Sequence, residues 1–132
     1  MKKEINETQE IIFRLIEKAT FNQMDGYQIV SDLKRNRNLW YVVHISREFI
    51  PLIILRDLIF DTYHADCIYI LTDKKKLKKL LPIIKKWRYD TINLIDNNNC
   101  IDNLIGGGFT WIKEEFKLPL STQFVLIKLW WD

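Results

Sequence analysis

Cysteine is scarce in this chain, and its scarcity excludes two kinds of small protein. Only Cys67 and Cys100 occur among 132 residues, so neither a disulfide framework nor a four-thiolate zinc site can hold the fold together. A chain of this length buries enough apolar surface to fold without such cross-links. We therefore expect a single domain over residues 1–132, in the reducing environment of the cytoplasm.

Long apolar runs are also missing, which argues against a membrane anchor. The most apolar segment, Phe49 to Phe60, has twelve residues and contains Arg56 and Asp57, whereas a spanning helix needs about 20 apolar residues. We expect this segment to form a buried helix. The first seventeen residues carry four glutamates, which is not the pattern of a signal peptide.

Apolar periodicity predicts the order of the secondary-structure elements. A period near 3.6 residues indicates helices at 4–21, 27–35 and 73–87, and Pro51 stands in the first turn of a further helix. Continuous β-branched and apolar runs indicate strands buried on both faces at 39–45 and 67–71, and a third strand at 91–95. We expect a three-layer α/β domain with a mainly parallel β-α-β-α-β sheet and two N-terminal helices.

The sequence of the last third of the chain predicts a short helix followed by a C-terminal edge strand or hairpin. An asparagine-rich segment after Asp96 begins one or two helical turns that stop at Gly106. "FTWIKEEF" and "TQFVLIKLWW" both have the composition of strands, and Lys128 in the second is typical of a sheet edge. The glycines at 106–108 lack the context of a phosphate-binding loop, so we interpret them as a turn.

Residues 73–88 concentrate the positive charge of the chain. They hold eight basic residues and one acid, whereas the whole chain has a net charge of +3, so the remainder is mildly acidic. On a helix, the lysines lie opposite an apolar stripe made of Leu77, Leu80, Leu81, Ile84 and Trp87. We interpret the lysines as the solvated face of a crossover helix. Weak binding of nucleic acid or anionic lipid through Lys74–Arg88 is the alternative.

Polar residues follow each predicted strand. Because the carboxyl ends of parallel strands meet at one edge of a sheet, we expect Arg47, Glu48, Asp73 and Asp96 to form an acidic surface there, which Asp132 joins if the last strand also runs parallel. Carboxylates in such a place could hold Mg²⁺, which prefers oxygen ligands. Asp73 also fits the role of a helix cap, and aspartate after a strand is common in turns.

Two adjacent tryptophans, Trp130 and Trp131, stand at the end of the last predicted strand. Neighbouring residues in a strand point to opposite faces, so both cannot be buried on the same face. We expect one of them to be exposed and to serve as an aromatic anchor in a protein interface.

Candidate catalytic residues are few. His64 lies close to Asp66 and Cys67, which is compatible with an activated thiol, but the spacing matches no metal-binding signature. We interpret Cys67 as an apolar core residue, His64 as the end of a helix, and His44 as a core histidine. We expect no catalytic group, no metal site and no cofactor.

These features favour a protein-binding module of the inhibitor or immunity type, which neutralises a toxin or enzyme encoded nearby. The predicted binding residues are Arg47, Glu48, Asp73, Asp96, Trp130, Trp131 and Asp132. The alternative is a small Mg²⁺-dependent enzyme that acts on phosphate esters at Asp73 and Asp96. Frequent Ile, Lys and Asn are typical of an AT-rich coding sequence and favour a bacterial or phage origin.

Overall fold

The parts of the chain that the structure describes form six α-helices, four strands and two short 3₁₀ helices, Arg37–Leu39 and Lys85–Trp87. The structure is a computed structural model that describes residues 4–19, 23–46 and 52–131, apart from the side chains of Ile53 and Ile54. The helices are α1 (Glu7–Glu17), α2 (Gly26–Arg35), α3 (Ile53–Ile59), α4 (Lys74–Ile84), α5 (Asn98–Leu104) and α6 (Phe109–Glu115). The strands are β1 (Val42–Ser46), β2 (Cys67–Asp73), β3 (Thr91–Ile95) and β4 (Phe124–Trp130).

Short polar side chains fix the starts of four helices. Asn6, Asp25, Asp73 and Asn97 each accept a hydrogen bond from the backbone N–H three residues later, at 2.8–3.1 Å. The first N–H groups of a helix have no partner within it, so each such cap stabilises the first turn. The cap predicted at Asp73 is confirmed.

The four strands form one antiparallel sheet in the order β1-β2-β4-β3. In its registers Ser46 lies opposite Cys67, Ile70 opposite Ile127, and Leu94 opposite Ile127. The predicted mainly parallel β-α-β-α-β sheet is therefore wrong. β2 and β3 do run in the same direction and are joined through α4, but β4 lies between them.

The connection from β1 to β2 explains why these two strands are antiparallel and not parallel as predicted. Parallel neighbours need a connection that crosses back along the sheet, whereas this chain returns at the end where it left, beside Ser46. α3 lies in the return, and its Leu55, Leu58 and Ile59 are exposed. The prediction of a buried helix is wrong for these side chains, and Pro51 lies outside the described residues. No helix in the described ranges combines the length and apolarity needed to cross a bilayer.

The C-terminal region is also arranged differently from the prediction. The segment expected as a first hairpin strand forms α6, since Phe109, Ile112 and Phe116 recur at helical spacing and pack into one cluster. β4 is an interior strand paired on both sides. Lys128 is accommodated there with its Nζ 5.9 Å from the centre of the Tyr69 ring, so the edge assignment is wrong.

Helices cover the two faces of the sheet unequally. α1, α2 and α4 enclose the larger core on one face, and α5 and α6 cover a smaller core on the other. In β1, Val43 and Ile45 face the larger core while Val42 and His44 are exposed. His44 is therefore not a core histidine, and β1 is covered on one face only.

Three indole N–H groups fasten the larger core together. Trp40 donates to the carbonyl of Leu33 at 2.8 Å, Trp87 donates to the carboxylate of Asp32 at 2.9 Å, and Trp131 donates to the carbonyl of Trp87 at 3.1 Å. Buried polar groups need such partners because losing water without replacement is costly. The bonds connect α2, the segment after α4 and the end of β4.

The outer edge of β1 is closed by a single side chain. The Gln9 amide donates from Nε2 to the carbonyl of Val43 at 2.8 Å and accepts from the Val43 N–H at 2.9 Å. Gln9 is buried in α1. Its amide therefore bonds β1 as a neighbouring strand would.

The lysine-rich helix has the orientation that its periodicity predicts. Leu80, Ile84 and Trp87 are buried, and the residues on the opposite side, Lys75, Lys78, Lys79, Lys85 and Lys86, are exposed. The solvated-face interpretation is confirmed for these five lysines. Lys76 is the exception, because its side chain is half-buried and lies over Tyr41.

Gly26 permits the close contact between α1 and α2. A Cβ atom at this position would lie 1.8 Å from the carbonyl oxygen of Ile16. We expect Gly26→Ala to lower the free energy of unfolding by about 2–3 kcal/mol, because the two helices must separate. Urea denaturation measures the change. Gly108→Ala, whose Cβ would meet its nearest neighbour at 3.7 Å, serves as control and should change stability by less than about 0.5 kcal/mol.

Asp32 is a buried carboxylate that accepts hydrogen bonds from three residues. Removing its charge should lower the free energy of unfolding most at neutral pH. Burial raises the pKa of Asp32, but hydrogen bonds from Gln28, Trp87 and Arg35 outweigh burial and hold it below its usual value of 3.8. The stabilisation is therefore present above pH 3.8 and is lost as pH falls through the lowered pKa.

We expect Asp32→Asn to cost about 1–3 kcal/mol at pH 7 and less at pH 3, measured by urea denaturation at both values. Asp25→Asn is the matched control, since asparagine caps a helix as well as aspartate does. An Asp32→Asn penalty that does not shrink on acidification would contradict the assignment.

Candidate functional site

One row of side chains on the less covered face of the sheet forms an apolar floor. The strand registers place Val42, Leu71, Leu126 and Ile95 side by side across all four strands. The next row, two residues along each strand, contains His44, Tyr69, Lys128 and Asn93. The floor is therefore apolar toward α6 and polar beyond it.

A groove opens between this floor and the α5–α6 segment. We call it the apolar groove; its volume is about 730 Å³. The sheet contributes Val42, Val43, His44, Tyr69, Leu71, Ile95, Leu126 and Lys128, and the helical segment contributes Leu104, Ile105, Gly108, Trp111 and Ile112. Binding sites in proteins are usually concave and mostly apolar, with a few polar groups that orient the ligand. The groove has this composition.

The helical wall of the groove carries exposed apolar side chains. The Trp111 side chain is 74% exposed, and Leu104 and Ile105 are exposed beside it. The turn between α5 and α6 is made by Gly106 and Gly107, which have φ angles of 76° and 82°. Glycine adopts this left-handed region without the steric penalty of a Cβ atom. The turn interpretation of these glycines is confirmed.

A second, smaller pocket adjoins the groove. We call it the Arg37 pocket; it has a volume of about 340 Å³ and is also lined by Tyr41 and Phe116. Val42, Trp111 and Ile112 line both the groove and this pocket. Residues near the start of α1 complete its lining, namely Glu4, Asn6 and Gln9, with Glu115 from α6.

Arg37 is a buried cation whose bonding capacity is incompletely used. Its side chain lies over the Trp40 ring, 4.0 Å from the ring centre, and the residue is only 6% exposed. It donates from Nη1 to the carbonyl of Trp40 at 2.7 Å and from Nη2 to that of Tyr41 at 3.5 Å. Its Nε has no hydrogen-bond partner among the described residues. Burial lowers the pKa of Arg37, yet the guanidinium remains charged at neutral pH.

Tyr41 and Asp73 form a polar contact beneath Lys76. The Tyr41 hydroxyl donates to Oδ2 of Asp73, while Oδ1 of Asp73 caps α4. Burial, followed by the hydrogen bond to Asp73, raises the pKa of Tyr41. The Lys76 ammonium lies 4.4 Å from the centre of the Tyr41 ring. Burial lowers the pKa of Lys76, nearby Asp73 acts in the opposite direction, and Arg37 lowers it further.

The predicted binding residues do not converge on one edge. Asp73 and Asp96 follow β2 and β3 at the same end of the sheet, on either side of the first residues of β4. Trp130 lies at the opposite end, opposite Cys67, because β4 runs antiparallel to both strands. The common edge was inferred from parallel strands, which the sheet does not have.

The individual predicted residues differ in accessibility. Asp73 is buried and Asp96 is exposed. Trp131 is fully buried with its N–H bonded, whereas Trp130 is half-buried. Arg47, Glu48 and Asp132 lie outside the described residues. Binding through these seven residues remains a prediction.

Of the residues considered for catalysis or metal binding, His44 lines the apolar groove, and Asp73 lines a separate pocket of about 350 Å³ together with Lys74, Lys75 and Lys76. Cys67 is buried, as predicted, together with Asp66 and His64. The Nδ1 atom of His64 lies 3.4 Å from Oδ2 of Asp57. Over residues 4–19, 23–46 and 52–131, no group of three His, Cys, Asp or Glu side chains could hold a metal ion.

Sequence reasoning missed the residues that line the two cavities. Arg37 was passed over because "NRN" has the composition of a helix-breaking loop. Trp111 was placed in a strand instead of in α6. The helical spacing of Phe109, Ile112 and Phe116 is the signal that could have revealed the second wall of the groove.

A further apolar surface lies on α3 and its flanks. Leu52, Leu55, Leu58, Ile59 and Phe60 are all exposed. Monomeric proteins seldom expose large contiguous apolar patches outside interaction sites. α3 is therefore a second candidate for contact with another protein, although it encloses no cavity.

Comparison with protein-family models, with curated proteins and with solved structures finds no match to this chain. The case for a function consequently depends on the geometry and chemistry of the surfaces described above.

The contact between Tyr41 and Asp73 gives a stability prediction. We expect Tyr41→Phe to lower the free energy of unfolding by about 1.5–3 kcal/mol, because a buried carboxylate oxygen loses its donor. Tyr27→Phe, at an exposed position, is the control and should be nearly neutral. Urea denaturation measures the free energy of unfolding of both variants. Equal decreases for Tyr41→Phe and Tyr27→Phe would show that the hydrogen bond to Asp73 does not stabilise the fold.

Proposed function

We propose that this protein is a binding module that holds an apolar segment of another protein in the apolar groove. The observation that carries the proposal is the exposed Trp111 facing a floor of Leu71 and Leu126 across a volume of about 730 Å³. Exposed aromatic side chains beside an apolar concavity are the usual anchors of protein interfaces.

The shape of the groove favours a segment of a protein over a small molecule. Sites for small molecules bury 70–90% or more of the ligand surface. Here the helical wall ends in exposed Leu104 and Trp111, so a small ligand would remain in contact with water along that side. A partner protein would cover both side chains while inserting its apolar residues between them and the sheet.

The proposal also includes the type of binding module and its location in the cell. We assign the module to the inhibitor or immunity type, acting on a toxin or enzyme encoded nearby, because an open groove on a small rigid sheet suits occlusion of a partner's surface. We place it in the cytoplasm, where the exposed thiol of Cys100 would stay reduced.

The two alternatives have less support. In the phosphate-ester hypothesis Asp73 would bind Mg²⁺, yet both of its carboxylate oxygens already accept hydrogen bonds. In the nucleic-acid or lipid hypothesis the lysines between residues 74 and 88 would converge on a ligand, yet Lys75, Lys78, Lys79, Lys85 and Lys86 face solvent. Asp73, Lys74, Lys75 and Lys76 line a pocket of about 350 Å³, which is less than half the volume of the groove.

Introducing a negative charge on the wall of the groove tests the proposal. We expect Trp111→Glu and Leu104→Glu to abolish recovery of the stoichiometric partner from the native host, because a carboxylate cannot enter an apolar interface without a large desolvation cost. Both positions are exposed, so the melting temperature should be unchanged. The measurement is co-purification with the wild-type and variant chains, followed by titration with the purified partner.

Two further variants locate the interface. Leu120→Glu introduces the same charge at an exposed leucine outside the groove and should leave binding intact. Leu55→Glu does so on α3. Loss of the partner with the α3 variant, together with full binding by the Trp111 variant, would move the interface to α3 and refute the groove.

A further inference from the structure

The charge of Arg37 has no compensating anion among the described residues. None of their carboxylates forms an ion pair with its guanidinium, and burial alone accounts for its lowered pKa. A buried charge without a partner is costly, and proteins normally pair it or hydrogen-bond it fully. The Nε atom of Arg37 is itself buried and has no hydrogen-bond partner among the described residues, while the Arg37 side chain lines a pocket of about 340 Å³. An unpaired cation at a cavity wall is the expected arrangement of an anion-binding site.

The Arg37 pocket lies directly beside the apolar groove. The Arg37 pocket and the apolar groove share Val42, Trp111 and Ile112. A chain lying against the groove floor can therefore extend past Val42 and Trp111 into the Arg37 pocket without leaving the protein surface. The combined site is an apolar trough with a buried positive group at one end.

We infer that the segment bound in the groove carries a carboxylate, from an aspartate or glutamate beside its apolar residues, and that this carboxylate pairs with Arg37. The inference deepens the proposed function and depends on it. Arginine suits this role because its planar guanidinium offers five N–H donors and binds carboxylates at short distance. The aromatic faces of Trp40 and Phe116, at 4.0 Å and 5.5 Å, hold the guanidinium plane in place.

Two acidic residues in the lining of the Arg37 pocket determine which kind of anion can bind there. Glu4 and Glu115 also line the Arg37 pocket, and both are exposed. Their presence disfavours a polyanion such as nucleic acid, since several phosphates would be repelled. A single carboxylate set among apolar residues meets the buried cation while avoiding that repulsion.

A displayed peptide library tests the inference directly. Random dodecapeptides on phage are selected against the wild-type chain, Arg37→Met and Trp111→Glu. We expect wild-type selection to enrich peptides in which Asp or Glu lies within a few residues of two large apolar side chains. Selection on Arg37→Met should lose the acid enrichment but keep the apolar one. Selection on Trp111→Glu should enrich neither.

Titration of one selected peptide supplies the quantitative test. Replacing its acidic residue by the corresponding amide should weaken binding to the wild type roughly 30-fold or more, as found when one partner of a buried charge pair is removed. On Arg37→Met the acidic and amide peptides should bind equally. Arg37→Lys should restore part of the preference for the acid. If Arg37→Met does not fold, the amide peptide on wild type and the Arg37→Lys variant still decide the question.

The outcomes separate the two levels of the proposal. Peptides that need Trp111 but show no preference for an acid would overturn the pairing with Arg37 and leave the groove intact. Failure of all selected peptides to depend on Trp111 would overturn the groove itself. Micromolar binding of decanoate, an apolar chain with a carboxylate, without selection of any acidic peptide would reassign the site to a small amphipathic acid and overturn the peptide inference.

Discussion

The pairing of β4 between β2 and β3 is the constraint on which the rest of this structure depends. β4 is the last strand in the chain, yet it contributes the centre of both cores, with Val125, Ile127 and Leu129 on one face and Phe124 and Leu126 on the other. Without it, β2 and β3 would have no hydrogen-bonded neighbour between them. The sheet therefore forms as one unit only after the whole chain is available, which makes the fold rich in contacts between distant residues.

Local sequence patterns predict most of the elements but not their neighbours. Apolar spacing predicts the helices of the N-terminal third, the lysine-rich α4 and strands at 67–71 and 91–95, of which the first extends to Asp73 in the structure. Strand order cannot be predicted in this way, because nothing in "CIYIL" or "TINLI" indicates which strand will lie beside it. The parallel arrangement was a default for alternating strands and helices, and the insertion of β4 overrode it. α6 was misassigned because Phe109 and Trp111 alternate as in a strand while Phe109, Ile112 and Phe116 repeat as in a helix.

The candidate site was less predictable than the fold because it is made by packing instead of by a motif. Its floor is one residue from each of four strands, and its wall comes from a helix that the alternating pattern concealed. Arg37 acquires its significance only from burial against Trp40 and Phe116, which no local pattern reveals. Acidic residues, which the sequence made conspicuous, are occupied as caps or lie apart. Asp73 caps a helix, and Arg37, which no local pattern marks, is buried at the wall of a cavity.

The amide of Gln9 has a consequence for how this sheet can associate. By bonding Val43 it leaves no opening at that point for a foreign strand, whereas the outer backbone of β3 carries no such side-chain bond among the described residues. Gln9 occupies one residue of the β1 edge, so a foreign strand would pair more readily along β3 than beside Val43.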